Sequence, residues 1–369
     1  MIYFDNAATT FPKPKCVINA VNECIKNYCG NPGRSSHNLS VKSAEEIYSA
    51  REAVAGLLGG VQPESVVFTH NATYALNLAL KSYINSHCHI LTSFYEHNSV
   101  IRPLEALREK YDISYSTFIN EQDIEEKITP NTKGIVCSLG SNVTGDNLDE
   151  RKLSEVAKRH SLFLILDASQ VIGHRDINIH KYPCDVLCAP GHKALFGIQG
   201  CGFAVFKETK RRQGLVEGGS GSDSINIKMP YLLPEGYEAG TLATPAIVSL
   251  ASGIDFINKI GIEAINKKID SLTENLYEKL SLIPDVKIYK RGNGILSFNL
   301  EGIPSGNVSY ELNKLGICTR SGLHCAPSIH RRLGTLGQGA VRVSFSYMNN
   351  FHEINRFYKA IRIVKEKLK

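Results

Sequence analysis

The sequence predicts an α/β protein in which helices cover both faces of a mainly parallel sheet, followed by a smaller α+β domain. The first observation is a series of short apolar runs that alternate with segments of helical periodicity. These runs are apolar throughout, as is typical of strands that are buried on both faces. The second observation is a change after Gly253, where long helical segments surround only two short strands.

Short apolar runs bounded by polar residues or glycine predict the strands of the larger domain. These strands are expected at residues 65–69, 88–93, 134–139, 162–166, 185–189 and 201–206. Apolar residues at helical spacing predict a helix that begins at Ser40 and ends at Gly59, and further helices over 73–83 and 150–160. The smaller domain is expected to contain an amphipathic C-terminal helix, a helix over 262–282 and strands at 286–289 and 295–300.

The composition argues against several classes of protein. The chain has 369 residues, of which 43% are hydrophobic and 21% charged, so it can form two globular domains. Its net charge of +6 is scattered, which argues against a nucleic-acid-binding surface. We find no apolar run of membrane-spanning length and no features of a signal peptide, so we expect a cytoplasmic protein without membrane contact. Its ten cysteines are then expected to be reduced thiols, and their spacing matches no metal site.

Lys193 stands in an apolar and glycine-rich run, GHKALFG at 191–197. A lysine is rarely buried without a partner, and burial lowers its pKa and makes the amine a nucleophile. An earlier apolar run at 162–166 ends abruptly in Asp167. An acid at the end of one buried strand and a lysine just past the next predict a pyridoxal phosphate (PLP) site. Lys193 would hold the aldehyde as a Schiff base, and Asp167 would keep the pyridine nitrogen protonated.

Other polar residues also follow predicted strands. These are Glu96-His97-Asn98, Ser141-Asn142, the segment 167–170 and His192-Lys193. Because the carboxyl ends of parallel strands share one edge of the sheet, we expect these side chains to converge there. Asn71-Ala72-Thr73 opens a helix directly after a strand, and the free N–H groups and dipole of a helix N-terminus favour a phosphate. The alternative for Thr73 is a plain capping role.

Seven segments occur in the order found in enzymes of the class V aminotransferase fold. They are YFDNAATT at 3–10, EHNS at 96–99, SNVTG at 141–145, DASQ at 167–170, GHK at 191–193, EAGT at 238–241 and RSGLHCA at 320–326. On these segments, the whole chain resembles the cysteine desulfurase and selenocysteine lyase family, in the group with an Arg-x-Gly-x-His-Cys motif. The resemblance implies a PLP-dependent transferase of fold type I. We place a large PLP-binding domain at 16–253 and a small domain, which carries the catalytic cysteine, at 1–15 and 254–369.

The resemblance implies a role for each residue around the cofactor. Lys193 would form the Schiff base and later shuttle a proton, while Asp167 pairs with the pyridine nitrogen. His97 would stack on the ring, unless it is an ordinary capping histidine, and Gln170 would reach the phenolic oxygen. The phosphate would be held by Ala72, Thr73 and His192. Thr241 resembles the residue that reaches the phosphate of the neighbouring subunit, which implies a homodimer with shared active sites.

The substrate implied by the resemblance is L-cysteine or L-selenocysteine. Asn142, which also lies among the implied cofactor residues, would clamp the substrate carboxylate together with Arg342. A bidentate arginine suits that geometry, and the alternative for Arg342 is a surface ion pair. Arg320 and Ala8 would line the same pocket.

Cys325 is the expected nucleophile, which would accept the substrate's sulfur and keep it as a persulfide. We expect His324 and Arg320 to supply positive character that lowers the pKa of this thiol. The alternative is that one cysteine among ten is incidental. The persulfide would then pass to an acceptor protein or a reductant.

Pro190 departs from the family pattern, which commonly has serine or threonine just before the Gly-His-Lys triplet. The hydroxyl at that position would contact the cofactor phosphate. Its loss implies either weaker cofactor binding or compensation by another group.

Three alternatives to a cysteine desulfurase remain open at this point. A selenocysteine lyase could use the same site, and the sequence leaves the preference between sulfur and selenium undecided. A class V aminotransferase would leave Cys325 without a function. A non-catalytic scaffold with a vestigial site would leave Lys193, Asp167 and His97 unexplained. The sequence identifies neither the acceptor of the sulfur or selenium nor an activating partner.

Overall fold

A computed structural model describes residues 1–33, 36–221 and 225–368 of the chain. Its strands are β1 (Ile2–Tyr3), β2 (Val66–Thr69), β3 (His89–Ser93), β4 (Ser114–Phe118), β5 (Thr132–Ser138), β6 (Phe163–Asp167), β7 (Val186–Pro190), β8 (Gly202–Phe206), β9 (Val286–Gly292), β10 (Ile295–Leu300), β11 (Ile317–Cys318), β12 (Arg320–Gly322) and β13 (Ala340–Ser344). Its α-helices are α1 (Lys15–Asn27), α2 (Asn38–Leu57), α3 (Ala72–Tyr83), α4 (Asn98–Tyr111), α5 (Glu150–Arg159), α6 (Thr244–Ile260), α7 (Ile262–Ser281), α8 (Ser305–Lys314), α9 (Pro327–Arg332) and α10 (Phe351–Leu368). Short 3₁₀ helices occupy Pro63–Ser65, Glu121–Asp123 and Glu125–Lys127.

The largest sheet has seven strands in the order β2-β8-β7-β6-β5-β3-β4. The pairs from β7 through β6, β5 and β3 to β4 are parallel, whereas β8 runs antiparallel to both β7 and β2. The predicted, mainly parallel sheet is therefore confirmed. Strand β4 was not predicted, because this partly exposed edge strand consists largely of polar residues and contains no apolar run.

The two faces of this sheet bury separate hydrophobic clusters. Ile135 and Cys137 of β5 pack into a cluster shared with α2, α5 and α6, whereas Val136 between them packs into one shared with α3 and α4. Alternate side chains of a strand point to opposite faces, so burial on both faces requires every residue of the strand to be apolar. This requirement explains the continuous apolar runs of the sequence.

The smaller sheet is antiparallel and has the order β12-β13-β10-β9. The first residues of the chain join this part of the molecule, because β1 pairs with β11 and Asp5 forms a bridge with Ser344. The ring of Phe4 contacts those of Phe345 and Phe357. The domain boundaries at 15/16 and 253/254 stay a prediction, and residue 253 lies within α6.

Helix α6 lies close to the segment that follows the β7 strand. A Cβ at Gly253 would lie 1.9 Å from the carbonyl oxygen of Leu195, so this approach requires glycine.

Within the described ranges, we find no single helix that is both long and apolar enough to span a membrane. Helices α6 and α7 meet those criteria only as a pair bent by 84°.

A buried ion pair connects α2 and β2 to the segment that contains Thr241. Arg51 Nη1 donates to Glu238 Oε1 at 2.9 Å, and the backbone N–H of Phe68 donates to the same oxygen at 2.6 Å. Both charged side chains are buried. Each charge is the buried counter-ion of the other, so the pair anchors Glu238 against the core only while both side chains are present.

We predict that Glu238→Ala lowers the free energy of unfolding by about 3–5 kcal/mol, because it leaves the buried Arg51 guanidinium unpaired. Urea denaturation followed by circular dichroism measures this change. The matched control is Glu208→Ala, which removes an exposed ion pair with Arg212 and should cost less than about 1 kcal/mol. Equal losses for the two variants would contradict the assigned role of the buried pair.

Candidate active site

One cavity opens at the carboxyl ends of β5, β6 and β7, where the sequence analysis expected polar residues to converge. It is lined by all the predicted cofactor and substrate residues except Thr241, namely Ala8, Ala72, Thr73, His97, Asn142, Asp167, Gln170, His192, Lys193, Arg320 and Arg342. Sequence reasoning had not assigned a role to other lining residues, among them Ala7, Tyr95, Ser99, Ser138 and Ser169. The roles of the predicted residues remain predictions, but their common location is a property of the fold.

Lys193 and Asp167 are brought together because β6 and β7 are adjacent and parallel. Asp167 is the last residue of β6, is buried, and accepts a hydrogen bond from the N–H of Ser169 at 2.8 Å. Burial lowers the pKa of Lys193 to about 8, although the negative charge of Asp167 opposes this shift. Roughly a tenth of the amine is therefore neutral and nucleophilic at pH 7, far more than for a lysine with the ordinary pKa of 10.5.

His97 both caps α4 and lines the cavity. Its Nδ1 accepts from the N–H of Ser99 at 3.1 Å, so the proton of the neutral ring lies on Nε2. Burial, with a further contribution from the charge of Lys193, lowers the pKa of His97 to about 4. The ring is therefore uncharged at neutral pH, and its capping role does not compete with its place in the cavity.

The N-terminus of α3 forms a cradle suited to a phosphate. The side chain of Asn71 caps the helix by accepting from the N–H of Tyr74 at 3.1 Å, and the first N–H groups after the cap have no partner within a helix. Strand β8 passes close to this point, because a Cβ at Gly202 would lie 2.5 Å from the carbonyl carbon of Asn71. The backbone geometry thus places free donors at the cavity wall.

Two hydroxyl groups and a histidine add to the cradle. The Thr73 Oγ1 lies 2.8 Å from the Ser99 Oγ, and both residues line the cavity. The Nδ1 of His192 is buried and has no hydrogen-bond partner among the described residues. Pro190 also lines the cavity. Ser99 thus supplies, next to Thr73, a hydroxyl of the kind that is missing at position 190.

These groups match the chemistry of PLP. A nucleophilic amine suits its aldehyde, a buried carboxylate suits its ring nitrogen, and a helix N-terminus with hydroxyls and an unpartnered imidazole nitrogen suits its phosphate. The fit thus rests on the amine of Lys193, the carboxylate of Asp167 and the orphaned Nδ1 of His192.

Arg342 enters the cavity from the smaller sheet. Its Nη1 donates to the carbonyl oxygen of Asn142 at 2.9 Å, and its Nη2 donates to Asp5 Oδ1 at 2.7 Å. The pairing with Asp5 was not foreseen from the sequence. The Nε of Arg342 and the Oδ1 of Asn142 are buried and without a partner in the described part of the chain. Arg342 is therefore a core arginine whose Nε has no partner among the described residues, and its predicted role as a carboxylate clamp stays a prediction.

Cys325 lies beside the cavity rather than in its wall. Its side chain is exposed, while its neighbour His324 lines the cavity. The carbonyl oxygen of Cys325 accepts from the N–H of Asn98 at 2.7 Å, which places this turn at the beginning of α4, one residue after His97. Cys325 thus directly follows a residue that lines the cavity, and its side chain is accessible to solvent.

The expectation that His324 lends positive character to Cys325 is wrong. His324 is buried, and burial together with the charge of Arg342 lowers its pKa to about 2. The imidazole is therefore neutral at any physiological pH. Of the two residues that we expected to act on the thiol, only Arg320 carries a positive charge.

Thr241 is exposed and lies outside the cavity that contains Lys193. It lines separate hollows with Glu238 and Leu242. The predicted contact with the phosphate of a neighbouring subunit involves a second chain and stays a prediction.

A lysine and a carboxylate at the ends of neighbouring parallel strands, beside an anion cradle, define a PLP-dependent enzyme of the α/β class. The family model described as aminotransferase class-V matches residues 2–357, and the chain belongs to this PLP-dependent family. A probable cysteine desulfurase of Methanothermobacter thermautotrophicus is 32% identical over 96% of this chain and 92% of its own length. A probable cysteine desulfurase of Pyrococcus abyssi is 30% identical over 97% of this chain and 92% of its own length.

Solved structures agree with this assignment. The apo structure of a cysteine desulfurase from Thermococcus onnurineus NA1 matches with a TM-score of 0.91 and 30% identity, and the match covers 100% of this chain and 94% of that one. A cysteine desulfurase of Escherichia coli matches with the same TM-score over 100% of this chain and 95% of that one. Its identity is 22%, so it supports the fold alone. The predicted family and the fold of a class V aminotransferase are thereby confirmed.

We predict that the cofactor-free protein reacts with PLP at Lys193 at a rate that rises about tenfold per pH unit up to pH 8 and then levels off, because only the neutral amine attacks. Borohydride reduction followed by peptide mass spectrometry measures the attachment. Reaction of PLP with Nα-acetyl-lysine under the same conditions corrects for the titration of the aldehyde reagent. A rate that keeps rising to the ordinary lysine pKa of 10.5 would contradict the burial argument.

Proposed function

We propose that the protein is a PLP-dependent cysteine desulfurase, which converts L-cysteine to L-alanine and keeps the sulfur as a persulfide on Cys325. The observation that carries the proposal is one cavity that contains Lys193 and Asp167, with an exposed cysteine at its edge. Membership of the class V family and relatives named cysteine desulfurases support it. These relatives favour a desulfurase over the aminotransferase and selenocysteine lyase alternatives.

When bound, PLP supplies an aldehyde that condenses with amines and a ring that stabilises negative charge at the substrate Cα. Lys193 would bind the aldehyde. With the substrate bound, the neutral Nζ of Lys193 would accept the proton from Cα, a task that suits a pKa of about 8. Asp167 would keep the ring nitrogen protonated. The free N–H groups of α3, with Thr73 and His192, would hold the phosphate.

The sulfur-transfer step falls to Cys325. Its thiolate would attack the sulfur of the bound substrate, so that an S–S bond forms and the bond between sulfur and the substrate Cβ breaks. The electron pair of that bond passes to the substrate carbon, which takes up a proton and leaves as part of alanine. Arg342 and Asn142 would orient the substrate carboxylate. The exposed position of Cys325 suits the second half of the reaction, in which an acceptor protein or reductant removes the sulfur.

We predict that Cys325→Ala lowers formation of sulfide and alanine from L-cysteine at least 100-fold, because no thiol receives the sulfur. The same variant should exchange the α-proton of L-alanine with D₂O at the wild-type rate, because that step uses Lys193. Methylene blue detection of sulfide and proton NMR measure the two activities. Cys29→Ala, which removes another exposed thiol, is the matched control and should change neither. Undiminished sulfide release by the Cys325 variant would contradict the proposal.

We also propose a homodimer with shared active sites. Thr241 is exposed in the single chain although Glu238, three residues earlier, is anchored by Arg51. Exposed apolar side chains that suit burial against a second copy are Ile18, Ile25, Tyr74, Val216, Ile225, Ile227, Tyr231 and Leu232.

A cytoplasmic location, which we propose as well, would keep the ten free thiols of the described chain reduced.

We predict that two inactive variants restore each other's activity when they are co-expressed. In a mixed dimer of Lys193→Ala and Thr241→Arg chains, one site keeps the lysine of one chain and the threonine of the other. Co-expression should therefore give about a quarter of the wild-type activity, since about half of the dimers are mixed and each has one intact site. Each variant purified alone is the control. No recovery in dimers shown by two affinity tags to be mixed would contradict shared sites.

A further inference from the structure

The turn that presents Cys325 has an unfavourable backbone. His324 has φ of 52° and Cys325 has φ of 57°, so two successive residues that are not glycine lie in the left-handed region. Such a conformation is energetically unfavourable for a residue with a side chain, and it persists only where its surroundings hold it. Specific contacts must therefore hold this turn.

Backbone contacts hold it from two sides. The side-chain amide of Asn142 donates to the carbonyl oxygen of His324 at 2.7 Å. The N–H of Asn98 donates to the carbonyl oxygen of Cys325, also at 2.7 Å. These bonds fix the carbonyl groups of the turn against the loop after β5 and the beginning of α4. They leave the orientation of the His324 side chain to be fixed by other residues.

The ring of His324 is fixed by His330 of α9. The two ring planes are nearly parallel, with an interplanar angle of 21° and centroids 5.4 Å apart, and His324 Nδ1 lies 3.2 Å from His330 Nε2. On the far side, His330 Nδ1 lies 2.8 Å from the hydroxyl of Thr335. All three side chains are buried, and neither Thr335 nor His330 lines the cavity.

Thr335, His330, His324 and the carbonyl group of Arg320 form a chain of hydrogen bonds. Every bond in this chain is donated in the same direction, from Thr335 towards Arg320. The carbonyl oxygen of Arg320, 3.4 Å from His324 Nε2, can only accept, so that nitrogen carries the proton. His324 Nδ1 must then accept from His330 Nε2, and His330 Nδ1 must accept from Thr335. Burial keeps both imidazoles neutral by lowering their pKa values. The tautomer of each ring is thereby determined by its neighbour.

We propose that His330, with Thr335 behind it, is a positioning residue for the sulfur-accepting step: it holds the His324 ring and thereby the left-handed turn that presents the Cys325 thiol. The proposal rests on the function proposed above, because positioning matters only if Cys325 accepts sulfur. Neither residue is placed to touch substrate or cofactor, so both act through His324.

The test separates sulfur transfer from the chemistry of Lys193. His330→Leu removes the donor to His324 Nδ1, and His330→Gln retains an amide donor at a similar distance from the backbone. We expect His330→Leu to lower the single-turnover rate of persulfide formation on Cys325 about tenfold, because small displacements of a reacting group have large effects. The KM for cysteine and the α-proton exchange of L-alanine should stay within about twofold, and His330→Gln should recover most of the lost rate.

Thr335 provides a milder pair of variants. This pair tests the same series of hydrogen bonds if His330→Leu does not fold. Thr335→Val removes the hydroxyl without changing the shape of the side chain, and Thr335→Ser retains it. We expect a loss of about threefold in persulfide formation for valine and none for serine. Equal rates for the two variants, or parallel losses of proton exchange and persulfide formation, would overturn the proposal.

A second measurement distinguishes failure of this inference from failure of the proposed function. Iodoacetamide labelling followed by peptide mass spectrometry compares the alkylation rate of Cys325 with that of exposed Cys29 in the same molecule. We expect the ratio of these rates to differ at least about threefold between His330→Leu and wild type, and to be the same for His330→Gln and wild type. A constant ratio overturns the positioning role. Absence of persulfide on wild-type Cys325, with the ratio changed as expected, overturns only the proposed function.

Discussion

The site depends on the burial of one amine beside one carboxylate. Burial lowers the pKa of Lys193 to about 8, and the negative charge of Asp167 limits this shift. A fully exposed lysine would be protonated and unreactive, and a buried lysine without Asp167 would have a still lower pKa. Both conditions are met because β6 and β7 are adjacent, parallel and buried on both faces. The architecture of the sheet is thus the origin of the chemistry.

The beginning of the chain links this amine to the smaller sheet. Thr9 Oγ1 and Lys13 Nζ both donate to the carbonyl oxygen of His192, at 3.1 and 2.9 Å. A few residues earlier, Asp5 accepts from Arg342 of β13 at 2.7 Å. One short segment therefore holds the backbone next to Lys193 and also pairs with the arginine that enters the cavity from the other sheet. A displacement of either sheet would therefore affect both the backbone next to Lys193 and the side chain of Arg342.

The electrostatics of the cavity follow from burial rather than from the number of basic residues. Burial lowers the pKa of His97 and His192 to about 4 and that of His324 to about 2, so these three rings act as neutral hydrogen-bonding groups. The permanent positive charge around the cavity comes from Arg320 and Arg342. Binding of an anionic substrate should therefore not depend on protonation of a histidine near neutral pH.

Much of the fold and of the candidate site could be predicted because the relevant signals are local. A strand buried on both faces must be apolar, and the residue that follows it stands at one edge of the sheet, so Asp167 and Lys193 could be recognised from short segments. Even Cys325 could be located from its neighbours in sequence. Strand β4 escaped prediction because one of its faces is partly solvated, which removes the apolar run.

The sequence by itself therefore determined the class of the protein, six of the seven strands of the large sheet and the residues that meet at the edge of that sheet. Only the tertiary structure decided the pairing of Asp5 with Arg342, which are 337 positions apart, and the neutrality of His324. It also decided that His330 and Thr335 stand behind the cysteine turn. The physical reason is that charge states and ion pairs depend on desolvation and on partners from distant segments, and both exist only once the chain has folded.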